Sequence, residues 1–170
     1  MRQKTLVITA VCIVLLCTAC SSEIDREKFA KVKNSAQAVE ISIAAGVSYQ
    51  TFGELLQKLS AEIANLKETV KSEEEKELLR DFSDLLTMYL DGFLLWKYKI
   101  EFASYRFVPK KRIYVGQDVE PIVVKYRFST ESHIFGPTQQ IWRSISEDSI
   151  QIIWSNAHSQ LEKINTLLKG

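Results

Sequence analysis

His133 and His158 are the two imidazoles of this chain, so acid–base or metal chemistry would have to start from them. His158 and Glu162 stand four apart in a stretch of helical period, and on one helix face they would offer two metal ligands. The same spacing on an exposed helix is an ion pair worth about 0.3 kcal/mol, and that is the reading adopted. A carboxylate-bridged di-iron bundle needs inward Glu-x-x-His pairs, and the sequence has none. Glu77, Asp81, Asp84 and Asp91 recur along one segment. Two carboxylates in one cleft would serve as acid and base, but these flank an apolar stripe and are expected to face water. Serines are plentiful, yet no Gly-x-Ser-x-Gly elbow and no Ser-x-x-Lys is present, nor a Gly-rich phosphate loop. No catalytic residue, metal ligand or cofactor is assigned.

All three cysteines, Cys12, Cys17 and Cys20, fall in the first 20 of 170 residues. Arg2 and Lys4 precede an uncharged, mostly apolar run from Thr5 to Ala19. A basic start, a short apolar run and small residues at its end form a secretory signal pattern. The run would be about 22 Å long as a helix, short of the ~30 Å bilayer core. Its end, Leu16-Cys17-Thr18-Ala19-Cys20, resembles the lipobox of bacterial lipoproteins. Leucine is usual three places before the lipidated cysteine; here that place is Cys17, with Leu16 one further back. The resemblance implies cleavage between Ala19 and Cys20, and two or three acyl chains of the palmitate kind on Cys20. Ser21 and Ser22 follow with no Asp, which resembles an outer-membrane sorting signal in a Gram-negative host. An ordinary signal cut after Ala19 would instead leave Cys20 as a lone thiol in an oxidising compartment. With Cys20 acylated, no cysteine is left for a disulfide framework, a thiolate zinc site or a nucleophile.

The whole chain carries 22 basic and 21 acidic side chains; without Arg2 and Lys4 the balance is 20 against 21. The charge is split. Residues 54–91 hold ten acids and five bases, and residues 97–127 hold eight bases and three acids. The basic stretch is interleaved with Trp96, Tyr98, Phe102, Tyr105, Phe107 and Tyr114. Bases among aromatics can meet nucleic acid, anionic lipid or an acidic partner, or can simply snorkel around a ring core. Export argues against nucleic acid, so Lys110, Lys111 and Arg112 are marked as a surface for an envelope protein partner.

These residues must be held by an all-α, antiparallel bundle of about four long helices. Phe29, Val32, Ala36, Val39 and Ile43 form the first apolar stripe, ended by Gly46 and followed by Ser48 as an N-cap. The second runs Phe52, Leu55, Leu56, Leu59, Ile63, Leu66 and Val70. Ser72 to Glu75 reads as a capping box before the third, which runs from Leu78 to Ile100. The fourth takes Ile141, Ile145, Ile152, Ile153, Ala157, Leu161, Ile164 and Leu168, after Gly136-Pro137-Thr138. Short turns make consecutive helices antiparallel neighbours.

Residues 104–137 connect the third and fourth helices and should carry structure of their own. Val119 to Tyr126 fits a short helix with Asp118 as cap and Pro121 in its first turn. The less favoured alternative is a β-hairpin pairing Arg112–Val115 with the strand-like alternation of Ile122, Val124, Tyr126 and Phe128. The turn Gly46-Val47-Ser48-Tyr49-Gln50 and the Leu94-Leu95-Trp96 end of the third helix resemble small helical envelope proteins that bring no assigned activity.

The domain reading is a signal over 1–19, a lipidated Cys20 and short tether over 20–28, and a bundle over 29–170. The functional expectation is a lipid-anchored envelope protein whose bundle binds or scaffolds. The alternative is an envelope enzyme or small-ligand binder with a pocket between the third helix, the connection and the fourth helix. That pocket would draw on Trp96, Tyr105, His133, Trp142 and His158.

Overall fold

The computed structural model describes residues 24–169. The segment expected to be a signal, with Ala19 and Cys20, lies outside the described residues. The chain is mostly helical, with α1 Arg26–Ala45, α2 Tyr49–Lys67, α3 Glu73–Phe102, β1 Arg112–Tyr114, α4 Glu120–Tyr126, β2 Glu131–Phe135, β3 Gln140–Ser146 and α5 Asp148–Leu167. Arg26, Glu27 and Lys28, counted above with the tether, are already helical.

The long helices follow their stripes. Phe29, Val32, Ala36 and Val39 of α1 are buried, as are Phe52, Leu56, Leu59 and Leu66 of α2. Gly46 ends α1 at φ 72°, a left-handed conformation that glycine adopts without a Cβ penalty. Ser48 then caps α2 by accepting from Thr51 N. At α3, Ser72 Oγ accepts from Glu75 N at 3.1 Å. The Glu75 carboxylate reaches back to Lys71 N at 2.9 Å, one residue beyond the cap amide that a capping box would use. It is also buried and ion-paired with Lys28 of α1. The principal packing pairs are α1 with α2, α2 with α3, and α3 with α5. The approach of α3 to α5 depends on Gly92, where an added Cβ would stand 2.2 Å from Trp154 Cζ3.

The all-α expectation is corrected by a small antiparallel sheet of order β1-β3-β2. Gly136-Pro137-Thr138, read above as leading into the fourth helix, is the turn of the β2–β3 hairpin. Ile141 and Ile145 belong to β3, and the last helix begins only at Asp148. A spacing of four places two residues on one face of a helix and equally on one face of a strand, so this pair could not tell the two periods apart. On α5 the buried face is Ile150, Ile153, Trp154, Ala157, Leu161 and Ile164, while Ile152 turns outward.

The connection holds the short helix Glu120–Tyr126, with Pro121 in its first turn. Asp118 does not cap it; its carboxylate accepts from Tyr98 Oη at 3.4 Å. Residues 112–114 form a strand, but its partner is β3 and not the 122–128 segment. The register sets Tyr114 opposite Ser144 and His133 opposite Trp142, so each pair shares a face of the sheet. Ile113 and Ile145, also paired, are fully buried in the common core.

Asp81 corrects the reading of the α3 acids as a solvated row. It is 8% exposed and accepts from Gln160 Nε2 at 2.9 Å and Lys163 Nζ at 3.0 Å, both on α5. Asp91 is half-buried between Lys125 Nζ and Tyr126 Oη of α4. Glu77 and Asp84 do face water. No described helix is long and apolar enough to cross a membrane.

Candidate aromatic binding site

The C-terminal turn of α3, the loop 103–111 and the sheet meet around aromatic rings. Helical period brings Tyr98 and Phe102 to one side of α3, where they stack at 5.4 Å. Phe102 stacks in turn on Tyr114 of β1 at 4.9 Å. The loop folds as successive turns, closed by Val108 N to Tyr105 O and by Arg112 N to Pro109 O. They deliver Phe107 edge-on to both Phe135 and Trp142, with centroids 5.5 Å away in each case. Trp142 also lies flat on His133, its cross-strand partner, at 4.2 Å.

These rings wall a partly open cavity of about 550 Å³. Phe102, Phe107, Tyr114, Phe135 and Trp142 supply its apolar surface, and Ser132, Gln140 and Arg143 its polar atoms. Size and lining suit a small-ligand site, in which apolar walls bury the ligand and a few polar groups orient it. Ile141 also belongs to the lining, and it and Ile134, its partner in register, are 70% and 65% exposed.

Beneath the rings lies a polar hub. Ser144 is fully buried; its Oγ accepts from Arg112 Nε at 2.9 Å and bonds His133 Nε2 at 2.8 Å. Arg112 Nη2 also donates to Ser144 O and pairs with Glu131 at 3.1 Å. One guanidinium thus joins all three strands. A Ser–His contact is the usual seed of a nucleophile. Here the hydroxyl has no exposed surface and neither residue lines the cavity, so the arrangement serves as a clasp for the sheet.

The residues singled out from sequence divide. Trp142 lines the cavity, Tyr105 packs on Phe102 and Phe107 at its margin, and His133 backs the Trp142 ring. Trp96 belongs to a separate recess of about 290 Å³ beside Trp154. His158 is remote from the cavity: its Nδ1 meets Glu40 of α1 at 2.8 Å, and not Glu162 as the spacing suggested. Glu40 also accepts from the buried Tyr89 Oη at 2.9 Å. Burial first, and the Glu40 carboxylate second, push the Tyr89 phenol well above its ordinary range. Lys110 and Lys111 are exposed, whereas Arg112 is committed to the clasp. Phe135 and Gln140 escape sequence reasoning, because it takes Gly136-Pro137-Thr138 as the lead into a helix and not as the turn of a hairpin.

A shallow trough of about 880 Å³ runs along α2 and α3 past Ala61, Ala64 and Leu90. No group of three or more His, Cys, Asp or Glu among the described residues is arranged to hold a metal ion. Compared with known protein families, curated proteins and solved structures, the chain matches none.

Proposed function

We propose that this chain is a lipid-anchored protein of the bacterial cell envelope whose folded domain is a binding module. The anchor reading rests on the basic start, apolar run and Leu16-Cys17-Thr18-Ala19-Cys20. The binding reading is carried by one observation, the ring-walled cavity between α3, the 103–111 loop and the sheet. This narrows the Lys110-Lys111-Arg112 partner surface to its first two residues, because Arg112 is engaged within the sheet.

Each half has its own test. In a bacterial host, labelled palmitate should enter the wild-type chain and not the Cys20→Ala variant; incorporation by the variant overturns the anchor. For the module, the full chain carrying 5-fluorotryptophan in lipid nanodiscs has three reporters, Trp96, Trp142 and Trp154. Ring compounds that bind should move the Trp142 resonance and leave Trp154 in place. Hits that move only Trp96 or Trp154, or a library without hits, overturn the cavity as the site.

A further inference from the structure

Charge around the cavity is unevenly satisfied. Of the bases in residues 97–127, Lys97 pairs with Glu101, Lys99 with Glu147, Arg112 with Glu131 and Lys125 with Asp91. Arg143, on the cavity wall, is met by Glu120. Arg106, Lys110 and Lys111 are exposed and form no ion pair among the described residues. All three sit on the loop that places Phe107 in the wall. Two nearby acids, Asp118 and Asp148, meet hydroxyls and no cation, so three exposed bases stand against two unpaired carboxylates on this side of the molecule.

Resting on the binding-module reading, we propose that the cavity takes a planar ring compound bearing an acidic group, its ring against Phe107, Tyr114 and Trp142 and its anion toward Arg106, Lys110 and Lys111. Ring faces supply contact area with little loss of side-chain freedom, and they favour flat partners. The loop suits an anion: Arg106 is next to the wall residue Phe107 in sequence, Lys110 and Lys111 follow within four residues, and none of the three is held in an ion pair among the described residues.

Three probes of related size separate the parts of this inference. They are 2-naphthalenesulfonate, its uncharged counterpart 2-naphthalenesulfonamide, and octanesulfonate, an anion without a ring. Each is titrated calorimetrically into the full chain in zwitterionic nanodiscs at low salt, with empty nanodiscs as the blank. The sulfonate should bind one to one and roughly tenfold tighter than the sulfonamide, the sum expected from three weak surface charges. Arg106→Gln, Lys110→Gln and Lys111→Gln together should erase most of that advantage. Octanesulfonate should bind more weakly than the naphthalene anion. Ser132→Trp or Gln140→Trp, at exposed lining positions that leave the core untouched, should block the sulfonate.

Equal affinity for sulfonate and sulfonamide, both blocked by Ser132→Trp, overturns the anion while the cavity reading survives. Octanesulfonate binding as tightly overturns the ring. Sulfonate binding untouched by both blocking variants, in chains with unchanged circular dichroism, overturns the location. Absence of binding by every probe overturns this inference, and the cavity reading falls with it only if the fluorotryptophan screen is also empty.

Discussion

Ser144 Oγ lies 2.8 Å from His133 Nε2, across the β2–β3 ladder and under the Trp142 ring. With Arg112 Nε donating to the same oxygen, the Ser144 hydroxyl is free to donate a hydrogen bond to the imidazole. Ser144→Ala would leave a part-buried donor of Arg112 and the ring nitrogen of His133 short of a partner, at a cost of about 1–3 kcal/mol. Urea unfolding of the variant should show that loss. A fluorophosphonate probe should not label Ser144 in the wild-type chain; labelling would assign it nucleophilic chemistry.

Gly92→Ala should destabilise the domain by about 1–3 kcal/mol, because the new methyl meets the Trp154 ring and the helices must part. Combining it with Trp154→Leu should cost less than the two single changes added together. A double-mutant cycle on denaturation midpoints measures that coupling.

Acid stability should centre on Glu75. The hydrogen bond from Lys28 Nζ, aided by the Lys71 amide, holds its carboxyl below the usual carboxylate range against the opposing effect of burial. Its contribution is therefore present above the unfolded-state value of about 4.3 and is lost as pH falls through the lower folded value. Glu75→Gln should reduce stability at pH 7 by about 1–3 kcal/mol and flatten the acid limb of a stability–pH profile.

The alkaline limb should belong to Tyr89 and Tyr126. Burial, then the charges of Glu40 and Asp91 respectively, raise both phenols above their ordinary value. An unfolded chain releases these protons near pH 10 while the folded one retains them, so stability falls as pH rises past about 10. Tyr89→Phe should lower stability at pH 7 by about 1–2 kcal/mol through the lost bond to Glu40, and make the alkaline fall shallower. Unfolding followed by circular dichroism from pH 7 to 11 reads both effects.

The helical stripes, Gly46, Ser48 and Ser72 were legible because each is a local signal, set by residues within one or two turns. The sheet was hidden because Ile141 and Ile145 satisfy two periods at once and because β1 finds its partner about 30 residues further along. Asp81 illustrates a different limit. Its place beside an apolar stripe predicted water, and only the approach of Gln160 and Lys163, about 80 residues away, encloses it. His158 likewise met Glu40, more than 100 residues distant, and left its near neighbour Glu162 to Asn165. At the site, the aromatic and basic composition of residues 96–114 was visible in advance. Which cations stay unspent was not, since ion pairing is decided by tertiary neighbours.

The unbroken run of α3 sets a standoff. Glu75, at its beginning, grips Lys28 near the start of the folded chain, and Phe102, its last residue, walls the cavity. The 27 steps from one to the other along the helix span about 40 Å at 1.5 Å each. If the proposed acyl chains on Cys20 hold the Lys28 end to a bilayer, α3 becomes a mast. Stood upright, it would lift the ring-lined mouth several Debye lengths clear of the lipid headgroups, where their charge is screened and only what moves through the surrounding fluid would arrive.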